Sequence, residues 1–151
     1  MFYTFMFECD DYGFNGWRKP RELEPNELLE WITIHVKSLQ ARFPMLGHAV
    51  IKRSGQGFHV VFPESRVTMQ QFNMLLTEVP HDVGWCYWTN VHGRATLRIS
   101  AKPIVQTVNG ENSKHLGTKT TLDKPQTIRL IHPNGLTLCR KEIVQRYGEH
   151  V

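Results

Sequence analysis

The chain has 151 residues and a formal net charge of +4, enough length for one domain with its own core and no apolar run near the roughly 20 residues that cross a bilayer. Three dispersed cysteines, Cys9, Cys86 and Cys139, with no Cys-x-x-Cys pair, indicate neither a disulfide framework nor a zinc knuckle and fit a reducing, intracellular (cytoplasmic) setting. The charge is uneven: residues 1–112 hold 11 Lys/Arg and 11 Asp/Glu, whereas residues 113–151 hold 7 against 3, so the excess sits in the tail and suits a polyanion such as nucleic acid.

Met1 to Phe7 is apolar but has no basic leader and meets Glu8 at once, so it reads as a strand rather than a signal peptide, running from Phe2 to Cys9. Alternation puts Phe5, Phe7 and Cys9 on one face and Thr4, Met6, Glu8 and Asp10 on the other. Two carboxylates thus leave one face about 7 Å apart, a spacing that suits a hard divalent cation with a preference for oxygen. Residues 11–24 read as a loop in which Arg18, Lys19 and Arg21 mingle with Tyr12, Phe14 and Trp17. A helix is expected over Pro25–Ala41, with proline in its first turn, Glu27 and Glu30 near its positive end, and Leu28, Ile32, His35 and Leu39 with Leu29, Val36 and Phe43 along one stripe.

His48–Arg53 and Phe58–Phe62 read as a hairpin around Ser54-Gly-Gln-Gly. Thr68 caps a second helix, from Met69 to about Val79. Gly84–Val91, with Trp85, Tyr87 and Trp88, and Ala95–Ala101 read as two further strands. The tail offers a hairpin around Asn134-Gly135 and a short helix from Arg140 to Tyr147, closed by Gly148. The expected class is α+β, a ferredoxin-like or RRM-like β-α-β-β-α-β antiparallel sheet with both helices on one face. The core would span 1–103, a linker or long loop 104–125, and a small basic hairpin–helix extension 126–151.

In that topology the first strand lies between the hairpin's second strand and the Ala95–Ala101 strand. Glu8, Asp10, His59 and Arg98 then converge on the open face of the sheet. The carboxylates would hold Mg²⁺ or Mn²⁺ against substrate phosphates, and His59 and Arg98 would donate to a triphosphate. Bare backbone N–H groups of the turn between Ser54 and Gly57 would cradle an anion. Lys52 and Arg53 on the hairpin, Arg18 and Lys19 in the loop, and Arg129, Arg140 and Lys141 in the tail are candidate nucleic-acid contacts.

These residues resemble the archaeo-eukaryotic primase superfamily, which includes primase–polymerases of viruses and plasmids. Phe5-Met-Phe-Glu-Cys-Asp-Asp looks like its acidic strand-end motif, with Glu8 and Asp10 at the metal positions. Ser54-Gly-Gln-Gly-Phe-His59 looks like its Ser-x-His-type strand, and Thr96-Leu-Arg-Ile-Ser-Ala-Lys-Pro like its Arg-bearing strand. The resemblance covers about residues 1–103 and implies a metal-dependent nucleotidyltransferase acting on nucleotides and a single-stranded template in replication or repair, with Arg98 and Lys102 as phosphate ligands. Glu8 stands where the family has its first aspartate, and Asp82 is the nearest candidate for a third acid, so a reduced or divergent member is implied. Two other readings fit the same residues. One is a non-catalytic RRM-like module binding single strands or nucleotides. The other is a rolling-circle type replication endonuclease, which would use Tyr147 as nucleophile but would want a second histidine beside His59.

Overall fold

The computed structural model describes residues 1–10, 24–54, 57–81, 83–94, 102–105, 107–108, 111–112, 120–123 and 125–150. In chain order these form β1 (Tyr3–Asp10), α1 (Pro25–Arg42), a 3-10 turn (Pro44–Leu46), β2 (Ala49–Ser54), β3 (Gly57–Val67), α2 (Met69–Leu76) and α3 (Val83–His92). Four short strands follow, β4 (Lys102–Val105), β5 (Thr107–Val108), β6 (Glu111–Asn112) and β7 (Thr120–Asp123). The chain ends in β8 (Gln126–Ile131), β9 (Thr137–Cys139) and α4 (Arg140–Tyr147). The fold is α+β: a five-stranded antiparallel open sheet, ordered β1-β3-β2-β8-β9, with four α-helices among the described residues.

The local signals that start the helices work as the residues suggest. Glu24 and Glu27 form a reciprocal capping box ahead of Pro25, and Glu24 N donates to Glu27 Oε1 at 3.3 Å. Thr68 and Gln71 do the same for α2, at 3.2 Å and 2.8 Å. Leu28, Ile32, Val36 and Leu39 of α1 are buried against Phe5 and Phe7 of β1, Ile51 of β2 and Phe58, Val60 and Phe62 of β3. Phe5 stacks on Phe62 at 5.5 Å and meets Phe72 of α2 edge-on at 5.2 Å, so the first strand is sealed to β3 and to the second helix.

Gly84–Val91, expected as a strand, is the body of α3. Its aromatic and β-branched residues favour strands by propensity, but Trp85 and Thr89, one helical turn apart, are the ones that bury. Trp85 packs on Phe72 at 6.1 Å, and Asn90 ties the helix to α2 through a mutual amide pair with Asn73, at 2.9 Å and 3.0 Å. Tertiary packing therefore overrides propensity here. Tyr87 and Trp88 face outward.

The sheet order also departs from expectation. Ala95–Ala101, expected beside β1, lies outside the described residues, and among those residues β1 pairs with β3 alone. Among the described residues the sheet extends on its other side: β8 of the C-terminal hairpin pairs with β2, from Ala49↔Ile131 to Arg53↔Gln126. The tail is thus part of the same sheet. Gln40, buried on α1, fastens this junction by donating to Ile131 O at 2.9 Å and Gly47 O at 3.1 Å. Within residues 104–125, expected as a linker, the described backbone holds short strands, β4 paired with β7 and β5 with β6. Both helices of the core were expected to leave the second face bare. Leu138 and Ile143 are buried apart from the main core, and Leu138 pairs with Leu130, out of phase with the core residue Ile131. So α4 covers that second face at the β8–β9 edge.

At the end of the sheet away from Glu8, Glu64 accepts from the ring Nδ1 of His48, which lies 6.0 Å, ring to ring, from His132. Gly47 just before it has φ of +74°, a conformation that favours glycine, and a Cβ there would come within 2.8 Å of Glu64 Oε1, so the Glu64 side chain would have to shift. The His48 side chain, then its backbone N–H and charge, hold the Glu64 carboxyl below its usual value of 4.5, with His132 adding a smaller pull. A depressed carboxyl contributes stability above its unfolded pKa and loses it as pH falls through the folded one. The stability difference between wild type and Glu64→Gln is therefore expected to shrink on acidification below 4.5, as read by denaturant midpoints at each pH. A difference that does not change with pH would refute the pairing.

Candidate functional site

The acidic strand end and the hairpin meet in register. Glu8 of β1 lies opposite His59 of β3, and His59 lies opposite Lys52 of β2. Two residues further on, Asp10 lies opposite Gly57, and Gly57 opposite Ser54. Directly paired residues of an antiparallel sheet share a face, and so do residues two apart along a strand. Six positions that the sequence singled out thus form two adjacent rows on three neighbouring strands, at the mouth of the β2–β3 hairpin.

Phe58, Cys9 and Arg53 are one residue out of phase with these rows. Phe58 and Cys9 are buried in the core under the helices, so the rows occupy the other face. Glu8 and His59 were expected on an exposed surface. Glu8 keeps 34% of its side chain exposed, but His59 keeps only 6%, and His59 Nε2 lies 3.9 Å from Glu8 Oε1. The histidine is therefore a buried polar group placed against a half-exposed carboxylate, at the long limit of an ion pair. A site of this kind fixes the orientation of a buried imidazole against a carboxylate.

The basic residues divide by role. Lys52 is half-buried and sits on the Glu8 face by register. Arg53 is exposed, with its guanidinium 5.8 Å from the Phe58 ring centre. Arg129, expected as a nucleic-acid contact, donates to Glu30 Oε1 at 2.8 Å and Thr33 Oγ1 at 2.9 Å, so its charge is engaged in fastening β8 to α1. Arg140 donates to the carbonyls of Thr127 at 2.8 Å and Glu149 at 2.7 Å, which closes the C-terminal turn. Lys141 is exposed on α4. Lys102 opens β4, whose partner is β7 and not a strand of the five-stranded sheet. Arg18, Lys19, Arg98 and Asp82 lie outside the described residues, as do Tyr12, Phe14 and Trp17.

For a hard cation the donor type is suitable: Glu8 and Asp10 are carboxylate residues two apart on one strand, and such a cation takes oxygen donors. Among the described residues, no three His, Cys, Asp or Glu side chains gather as a metal-binding group. The aromatic face of α3 was read as a strand from the sequence, and the structure re-sorts it: Tyr87 is 71% exposed and Trp88 36%, with Trp88 4.4 Å from the His92 ring and 5.9 Å from the Arg94 guanidinium. The row Glu64–His48–His132 went unread because the β2–β8 pairing that assembles it joins segments 84 residues apart, as His48 and His132 show. No helix among the described residues is long and apolar enough to cross a membrane. The chain matches no protein-family model, no curated protein and no solved structure.

Proposed function

We propose that this chain is a metal-dependent nucleotidyltransferase of primase–polymerase type, acting on nucleotides and a single-stranded template in replication or repair of a virus or mobile element. The observation that carries the reading is the register of Glu8 with His59 and of Asp10 with Gly57, next to Ser54. It brings the acidic strand end and the Ser-x-His-type hairpin together on the face away from the core. Glu8 and Asp10 would hold Mg²⁺ or Mn²⁺, which neutralises phosphate charge. His59 would donate to a nucleotide phosphate while Glu8 fixes its ring. Transfer of this type depends chiefly on positioning and charge neutralisation, which such a surface supplies.

In this reading the sheet is completed as a ferredoxin-like core by the segment 95–101 beside β1, bringing Arg98 to the same face as a phosphate ligand, and the basic tail adds contacts to template. The edge of β1 not paired with β3 is where that strand would add.

One observation favours the second reading, a non-catalytic single-strand binding module: His59 is only 4% exposed, while Tyr87 and Trp88 offer accessible ring faces next to Arg94. A single assay separates the two. Labelled nucleotide is supplied with a single-stranded template and Mg²⁺ or Mn²⁺, with and without excess EDTA. The expected result is incorporation that chelation abolishes and Mn²⁺ or Mg²⁺ restores. Template binding that weakens steeply with salt, without incorporation in either metal, selects the binding module. Incorporation that persists in EDTA would overturn the metal role.

A further inference from the structure

We propose that Lys52 is the cation that receives the phosphates of a nucleoside triphosphate at this site, opposite the acidic pair and across His59. The inference rests on the nucleotidyltransferase reading and extends it to the substrate's charged end and the residue that takes it.

The register places Lys52 directly opposite His59, and His59 directly opposite Glu8. Paired side chains share a face, so carboxylate, imidazole and ammonium lie in one row. Two inter-strand spacings separate the ends of that row, about 10 Å between backbones. That distance is suited to a linear polyanion with a divalent cation at one end and a fixed positive charge at the other. The adjacent Arg53 is sent to the opposite face by alternation and lies over Phe58. Arg129, on the neighbouring strand, is already engaged by Glu30. Among the described residues Lys52 makes no ion pair, in contrast to Arg42, which meets Glu78 at 3.0 Å.

Half-burial of Lys52 suits this role. A lysine of intermediate burial can lay its aliphatic stem on the sheet and keep its ammonium in water, and an ammonium is a compact point charge that follows a flexible phosphate chain without the fixed bidentate geometry of arginine. A charge-assisted contact of this kind is worth about tenfold or more in affinity.

The test uses the full chain and a fluorescent nucleoside triphosphate, with the corresponding monophosphate as comparison, in the presence of Mg²⁺. Lys52→Met keeps the stem and removes the charge. It is expected to raise the triphosphate Kd about tenfold and the monophosphate Kd much less. Lys52→Arg is expected to stay within a few-fold of wild type, and Lys37→Met, an exposed change on α1, to have no effect. Thermal melts of Lys52→Met and Lys52→Arg establish that each variant is folded. If Lys52→Met binds triphosphate as wild type does while wild type incorporates nucleotide, the assignment of Lys52 falls and the nucleotidyltransferase reading stands. If folded wild type neither binds the triphosphate nor incorporates it, both fall together.

Discussion

Asp10→Asn is expected to lower nucleotide incorporation by about 10²–10³-fold while leaving the thermal midpoint close to that of wild type. The size follows from what one preorganised electrostatic group contributes when charge develops in a transition state. Asparagine keeps the shape and one oxygen of aspartate but loses the negative charge that a divalent cation needs. Asp10 is the last residue of β1, in register with Gly57 at the mouth of the hairpin, so the change adds no bulk inside the core. Glu8→Gln tests the other acid separately. Glu8 is tied to His59, so its loss should also alter the pH dependence of any remaining activity, whereas the loss of Asp10 should lower activity evenly across pH. Steady-state incorporation over a range of pH reads both. An Asp10→Asn protein as active as wild type would remove the two-acid centre from this face.

Phe5→Ala is expected to cost about 3–5 kcal/mol of unfolding free energy, a large share of the 5–15 kcal/mol typical of a single domain. Phe5 is fully buried and touches three other rings, Phe7 at 5.9 Å, Phe62 at 5.5 Å and Phe72 at 5.2 Å. These belong to β1 itself, β3 and α2, so the cavity would open where strand and helix layers meet and could collapse only by moving several elements. The Phe5 amide also donates to Ser65 Oγ at 2.7 Å, and Ser65 Oγ returns a bond to Phe62 O at 2.6 Å, which fixes the backbone around the site of the cavity. Urea unfolding followed by tryptophan fluorescence measures the loss. A cost under about 1 kcal/mol, with unchanged m, would mean the first strand is not the keystone that its packing indicates. The two experiments divide the strand by face: the Phe5 side holds the fold, and the Glu8–Asp10 side holds the proposed chemistry.

Local features of the chain were legible where the signal spans only a few residues. The Thr68 cap, the apolar stripe of α1, the β2–β3 hairpin, the Asn134-Gly135 hairpin and the shared face of Glu8 and His59 all follow from spacing, because capping bonds, helical period and strand alternation are set within one or two turns of chain. The helix at Val83–His92 was not legible, since Trp, Tyr, Cys and Thr carry strand propensity, and only the fit of Trp85 against Phe72 and of Asn90 against Asn73 settles its form.

The amino-acid sequence by itself determined the alternation of β1, with Phe5, Phe7 and Cys9 on one face and Glu8 and Asp10 on the other. Tertiary structure alone decided their neighbours. It paired β8 with β2 and so turned Arg129 into a strut against Glu30, brought His132 to His48 and Glu64, buried His59, and set Lys52 rather than Arg53 beside it. The physical reason is range. Alternation and capping act through the local backbone, whereas strand order and burial depend on which distant segments exclude water together, and no local pattern encodes that choice.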